Sequence, residues 1–132
     1  MKPITPELHG VLDYTTAGLL IALPRLLRWS PRVTQFMTMM AVGHAAYSLL
    51  TRYKYGVVKT IPMETHLAVD KIIAGTFMAA PLLMRGEDPA EIAALVGLGV
   101  YEMGATLMTE PEMPKQTFHH KLYEGVKELV AG

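Results

Sequence analysis

One pattern is written twice in this chain. Residues 9–28 read HGVLDYTTAGLLIALPRLLR and residues 66–85 read HLAVDKIIAGTFMAAPLLMR, both H-x3-D-x3-A-G-x3-A-x-P-x-L-x-R. Ile4/Ile61 and Glu7/Glu64 extend the match at the same offset of 57 residues, making ten identical pairs. A one-residue change in the next loop moves the offset to 58, where Pro31/Pro89, Val42/Val100, Leu49/Leu107 and Thr51/Thr109 match. Self-similarity of this kind marks a unit that cannot bury its apolar face alone and uses a second copy to do so. The expectation is a single domain over 1–132, with internal repeats at about 4–53 and 61–111 and a tail over 112–132.

Each copy holds two apolar segments separated by a turn. Leu8–Leu27 leads into RWSPR and then Val33–Thr51; His66–Met84 leads into RGEDP and then Ile92–Thr109. Strand-like alternation of any length is missing from the pattern, so the fold reads as all-α. After Pro111 and Pro114, the tail places Phe118, Leu122, Val126 and Leu129 on one side of an amphipathic helix. His119 and His120 lie in that tail and read as a solvated pair.

Only 18% of the residues are charged, against about 25% in ordinary globular proteins. Val33–Thr51 runs through 19 residues without Asp, Glu, Lys or Arg. Spanning a bilayer takes about 20 largely apolar residues. None of the four segments carries a broad charged face. The pattern therefore predicts a four-helix transmembrane bundle built from two tandem helix hairpins with pseudo-twofold symmetry, its partner being the lipid bilayer. Lys2, Arg52, Lys54, Lys59, Lys115, Lys121 and Lys127 outnumber Arg25, Arg28, Arg32 and Arg85. That bias predicts a multi-pass inner-membrane protein with both termini cytoplasmic. A soluble four-helix bundle is the other reading of the same segments.

Several classes are excluded. Zero formal charge gives no basic stripe for nucleic acid, and the absence of cysteine removes disulfides and thiolate chemistry. There is no G-x-S-x-G, no H-E-x-x-H and no phosphate-binding glycine loop.

The blocks D-x4-G-x5-P-x-L in each half, with TRYKYGVVKTIPMETHLAVD between them, resemble the small bacterial SPW-repeat membrane proteins. At the Ser-Pro-Trp positions this chain has Leu23-Pro24-Arg25 and Ala80-Pro81-Leu82. The resemblance spans most of 9–109. It implies an integral membrane protein with two transmembrane helices per repeat, and no catalytic residues.

The costly residues are the polar ones inside the apolar segments. At 100° per residue, His9, Asp13, Ala17, Leu20 and Pro24 share one face, as do His66, Asp70, Ala74, Phe77 and Pro81. His44, seven residues before Thr51, and Glu102, seven before Thr109, come to a comparable depth. Folding the halves about a pseudo-twofold axis brings these six together. Three readings follow. The acids pair with histidines or with Tyr14, Tyr47 and Tyr101 to set helix register; or His9, Asp13, His44, His66, Asp70 and Glu102 bind a divalent metal or haem; or the buried carboxylates move protons or ions. A non-enzymatic structural or accessory membrane component without a cofactor is the leading expectation, and the metal- or haem-binding protein is its alternative. Gly18 and Ala22, like Gly75 and Ala79, form small-xxx-small pairs suited to packing within the bundle or to a homodimer.

Overall fold

The computed structural model describes residues 2–111 and 116–132, with the side chains of 116–121 outside the described residues. The fold is all-α: α1 (Pro6–Leu26), α2 (Pro31–Leu49), α3 (Met63–Met78), a short α4 (Ala80–Leu83), α5 (Pro89–Leu107) and α6 (Gln116–Ala131).

Helices start before the apolar segments because the caps lie outside them. Thr5, Ser30 and Asp88 accept from the backbone N–H of Leu8, Val33 and Ala90. Pro6, Pro31 and Pro89 each follow as the first helical residue, where a missing N–H costs nothing. Pro24 is taken into the last turn of α1. Its counterpart Pro81 is the second residue of α4, after a break at Ala79. Pro81 consequently leaves the buried face predicted for it and is exposed, while Ala80 is buried in its place.

Helix α1 packs on α2, and α3 with α4 packs on α5. At the turn end the Ser30 N–H donates to Glu91 Oε1 at 3.0 Å, and Arg32 reaches the Leu83 carbonyl at 2.9 Å. Next to these turns sits the apolar core of Leu20, Val33, Met37, Ala41, Phe77, Ala80, Met84 and Leu95. At the opposite end, Ile4 pairs with Thr109 and Ile61 with Thr51 in two short backbone bridges.

Close helix approach does not occur at the expected small pair of α1. Gly18 and Ala22 are exposed, and a Cβ on Gly18 would meet nothing within 4 Å. The tight crossing is at Gly99 of α5, where a Cβ would lie 2.7 Å from the Ala74 carbonyl oxygen of α3.

Among the described residues, only α5 is both long and apolar enough to cross a membrane. Helix α3 stops after 16 residues at the Ala79 break. Helix α2 is diluted by Thr34, Gln35, Thr38, His44 and Ser48, and α1 by His9, Asp13, Thr15 and Thr16. The expected four-span placement in the inner membrane, with both termini cytoplasmic, is therefore overturned. Absence of formal charge is not span-forming hydropathy, because hydroxyl, amide and imidazole groups also resist transfer out of water.

Candidate metal centre

The face expected on α1 is the one the helix buries: His9, Asp13, Ala17, Leu20 and Pro24 all lie inside. On α3, His66, Asp70, Ala74 and Phe77 do the same. Helix α2 adds His44 and α5 adds Glu102, both buried. The structure thus brings all six candidates into one cluster at the end of the molecule away from the apolar core.

Asp13 and Asp70 stand at its centre. His9 Nε2 is 2.9 Å from Asp70 Oδ2 and 3.2 Å from Asp13 Oδ1. His66 Nε2 is 3.2 Å from Asp13 Oδ2 and 3.3 Å from Asp70 Oδ2. His44 Nε2 is 3.2 Å from Asp13 Oδ1. Further donors steady the carboxylates. Tyr53 donates to Asp13 Oδ2 at 2.7 Å and Ser48 at 3.4 Å, while the Tyr47 phenol donates to Asp70 Oδ1. Of the three tyrosines considered from sequence, only Tyr47 reaches an aspartate. Tyr14 donates to the Tyr55 carbonyl, and Tyr101 is exposed.

Two threonines orient the rings. Thr51 Oγ1 gives its hydrogen to the Tyr47 carbonyl at 2.7 Å and lies 2.7 Å from His66 Nδ1. Thr109 Oγ1 gives its hydrogen to the Ala105 carbonyl at 2.6 Å and lies 2.7 Å from His9 Nδ1. A hydroxyl that has spent its hydrogen can only accept, so Nδ1 of each histidine donates. Nε2 of each ring is left facing the two carboxylates.

Burial lowers the pKa of His9, but hydrogen bonds and charge from Asp13 and Asp70 outweigh it and raise the ring to about 10. Burial opposes the charged form of His66 too, and the two nearby carboxylates of Asp13 and Asp70 raise it to about 9. Burial raises Asp70, yet the histidines hold it down at about 2; Asp13 is likewise held well below the carboxylate range by His44, His66 and His9. Glu102 goes the other way. Burial raises it to about 7, with His44 opposing. Two imidazolium rings and two carboxylates thus sum to zero charge in a buried volume, which such a volume requires.

One ligand atom from each of His9, Asp13, His66 and Asp70 fits within 4.8 Å of the others, and so does one from each of His44, Asp70 and Glu102. The cluster can hold a metal ion. Replacing the two Nε2 protons by one divalent cation leaves its net charge at zero. The Nε2 to carboxylate separations of 2.9–3.3 Å approach the about 3.3–3.4 Å between ligands of a tetrahedral ion with bonds of about 2.0–2.1 Å. Haem has no slot here. The His9 and His66 rings meet edge to face with centroids 5.2 Å apart, and carboxylates fill the space between their Nε2 atoms.

Tyr53, Ser48, Thr51 and Thr109 were missed as members of the site. Thr51/Thr109 had left a signal, a matched pair at the ends of α2 and α5. Tyr53 had left none, because it lies in the loop between α2 and α3. His119 and His120 have side chains outside the described residues.

Protein-family models, curated proteins and solved structures provide no match to this chain.

Proposed function

We propose that this is a non-enzymatic metal-binding helical protein, with one divalent cation held by His9, Asp13, His66 and Asp70 between α1 and α3. The observation that carries the reading is the state of His66. Its ring is fully buried, Nδ1 is committed to Thr51, and Nε2 lies 3.2 and 3.3 Å from two carboxylates at once without a well-aligned hydrogen bond to either. Ligating histidines characteristically donate their second N–H to a fixed outer partner, as His66 does to Thr51 and His9 to Thr109. A set with four protein ligands is closed, which suits a structural ion better than a catalytic one. Imidazole and carboxylate without thiolate suit zinc, manganese or iron(II).

We further read the architecture as a four-helix bundle of two tandem hairpins about a pseudo-twofold axis, the plan for which the SPW-repeat resemblance is retained. Partner exchange supports it: Ile4 meets Thr109 and Ile61 meets Thr51, while His9 meets Thr109 and His66 meets Thr51. Each copy completes the other.

The test is metal content. Protein purified without chelator is assayed for bound ions, then stripped and titrated with cobalt(II). The expected result is bound metal and a tetrahedral cobalt spectrum, both lost in His66→Ala. A chain that carries no metal and takes up no cobalt, zinc or manganese refutes the proposal and leaves an ion-paired core that sets helix register.

A further inference from the structure

The four ligands of the proposed ion leave His44 and Glu102 unused. These two occupy equivalent places in the two copies, and they are where the cluster departs from its own repeat.

His44 is 1% exposed. Its Nε2 lies 3.2 Å from Asp13 Oδ1, and a carboxylate only accepts, so Nε2 carries the hydrogen. The other ring nitrogen is Nδ1. That atom has no hydrogen-bond partner and faces Glu102 Oε1 at 3.8 Å. The separation is too long for a hydrogen bond. A buried ring nitrogen left without a partner is costly. The same separation suits two ligands of one cation, which span about 3.0–4.2 Å when metal–ligand bonds are about 2.0–2.2 Å.

We propose a second divalent-cation site formed by His44 Nδ1, Glu102 and Asp70, with the Asp70 carboxylate shared between the two ions. The inference rests on the first site reading correctly. Asp70 suits the bridging place because its oxygens point two ways, Oδ2 to His9 and His66 and Oδ1 to the Tyr47 phenol. Ligand atoms of His44, Asp70 and Glu102 fall within 4.8 Å of one another, close enough to share one cation. His44 is held as metal-binding histidines usually are, its other N–H on a carboxylate. Three carboxylates against two dications leave one positive charge, which a bound water neutralises by releasing a proton. Divergence to His44 in one copy and Glu102 in the other is what makes the second ligand set mixed.

The experiment is a manganese(II) titration of the stripped full-length chain, followed by equilibrium dialysis and electron paramagnetic resonance. The expected result is two ions per chain, with the isolated-ion hyperfine pattern replaced by an exchange-coupled spectrum as the second binds. The near-isosteric Glu102→Gln, and separately His44→Ala, should bind one ion with an isolated-ion spectrum. Wild-type protein that saturates at one uncoupled ion overturns the second site and leaves the first standing. Uptake of two coupled ions by both variants overturns the ligand assignment. No uptake at all overturns both sites. Because stoichiometry and coupling are read on the wild type, a variant that fails to fold does not remove the test.

Discussion

Thr51 Oγ1 lies 2.7 Å from His66 Nδ1, and the hydroxyl's own hydrogen goes to the carbonyl one helical turn back, at Tyr47. The contact joins the end of α2 to the start of α3. A chemically identical contact joins Thr109, just past α5, to His9 at the start of α1. Neither histidine is oriented by its own helix alone.

Removing either acceptor should therefore loosen the centre. Thr51→Val and Thr109→Val keep the volume and leave a buried Nδ1–H without a partner, costing about 1–3 kcal/mol of stability. Metal affinity should fall by about 10–100-fold, the usual effect of losing an outer partner, while Thr51→Ser retains it. Competition titration against a chelator of known affinity measures this. Equal affinities in all three variants would remove the orienting role.

Asp13 is the more heavily bonded of the two aspartates, facing His9, His44, His66, Ser48 and Tyr53. Asp13→Asn in metal-free protein should cost about 3–5 kcal/mol, because it strands buried cationic partners. The control, Glu64→Gln at an exposed position of α3, should stay within about 0.5 kcal/mol. Denaturant unfolding followed by circular dichroism compares them.

The metal-free fold should respond to pH in three windows. His9 and His66 are raised from 6.5 to about 10 and about 9. Their contribution is complete below pH 6.5 and is lost as pH rises through 9 to 10. Asp70 is lowered from 3.8 to about 2, so its contribution is present above 3.8 and is lost as pH falls toward 2. Glu102 is raised from 4.5 to about 7. Its folded form binds a proton that the unfolded form has released, so this residue lowers stability as pH rises from 4.5 to 7. Glu102→Gln should flatten that middle window and leave the other two in place. Unfolding midpoints at stepped pH test the sign; a slope between 4.5 and 7 that Glu102→Gln leaves unchanged contradicts it.

Gly99 and Gly18 should respond oppositely to alanine. A Cβ at Gly99 meets the Ala74 carbonyl oxygen at 2.7 Å and the Met78 backbone nitrogen at 2.8 Å, and backbone cannot step aside. Overpacking of this sort costs about 1–3 kcal/mol. At Gly18, with open space around it, alanine should stabilise α1 by about 0.5–1 kcal/mol through helix propensity alone. Thermal unfolding of the two variants gives the comparison.

Much of the site was readable in advance because helix geometry is local. His9, Asp13, Ala17, Leu20 and Pro24 share a face by their spacing, and all five are buried. The same spacing failed for Pro81, since the break at Ala79 changed the rotation of everything after it. It failed for hydropathy too. A count of missing charges does not register that Thr34, Thr38, His44 and Ser48 make α2 a poor span. Tyr53 was out of reach because no periodicity runs through a connecting loop.

The order of residues along each helix determined which side chains share a face, where caps and prolines begin a helix, and that a histidine and an aspartate one turn apart lie together. Those are consequences of 1.5 Å and 100° per residue, and they need no partner. What the histidines touch was decided by the tertiary fold. Thr51 and His66 are 15 residues apart, while His9 and Thr109 are separated by 100. Only packing of α1 and α2 against α3 and α5 places Nε2 of both rings beside the same two carboxylates, because burial forces each charge to find its opposite across the interface.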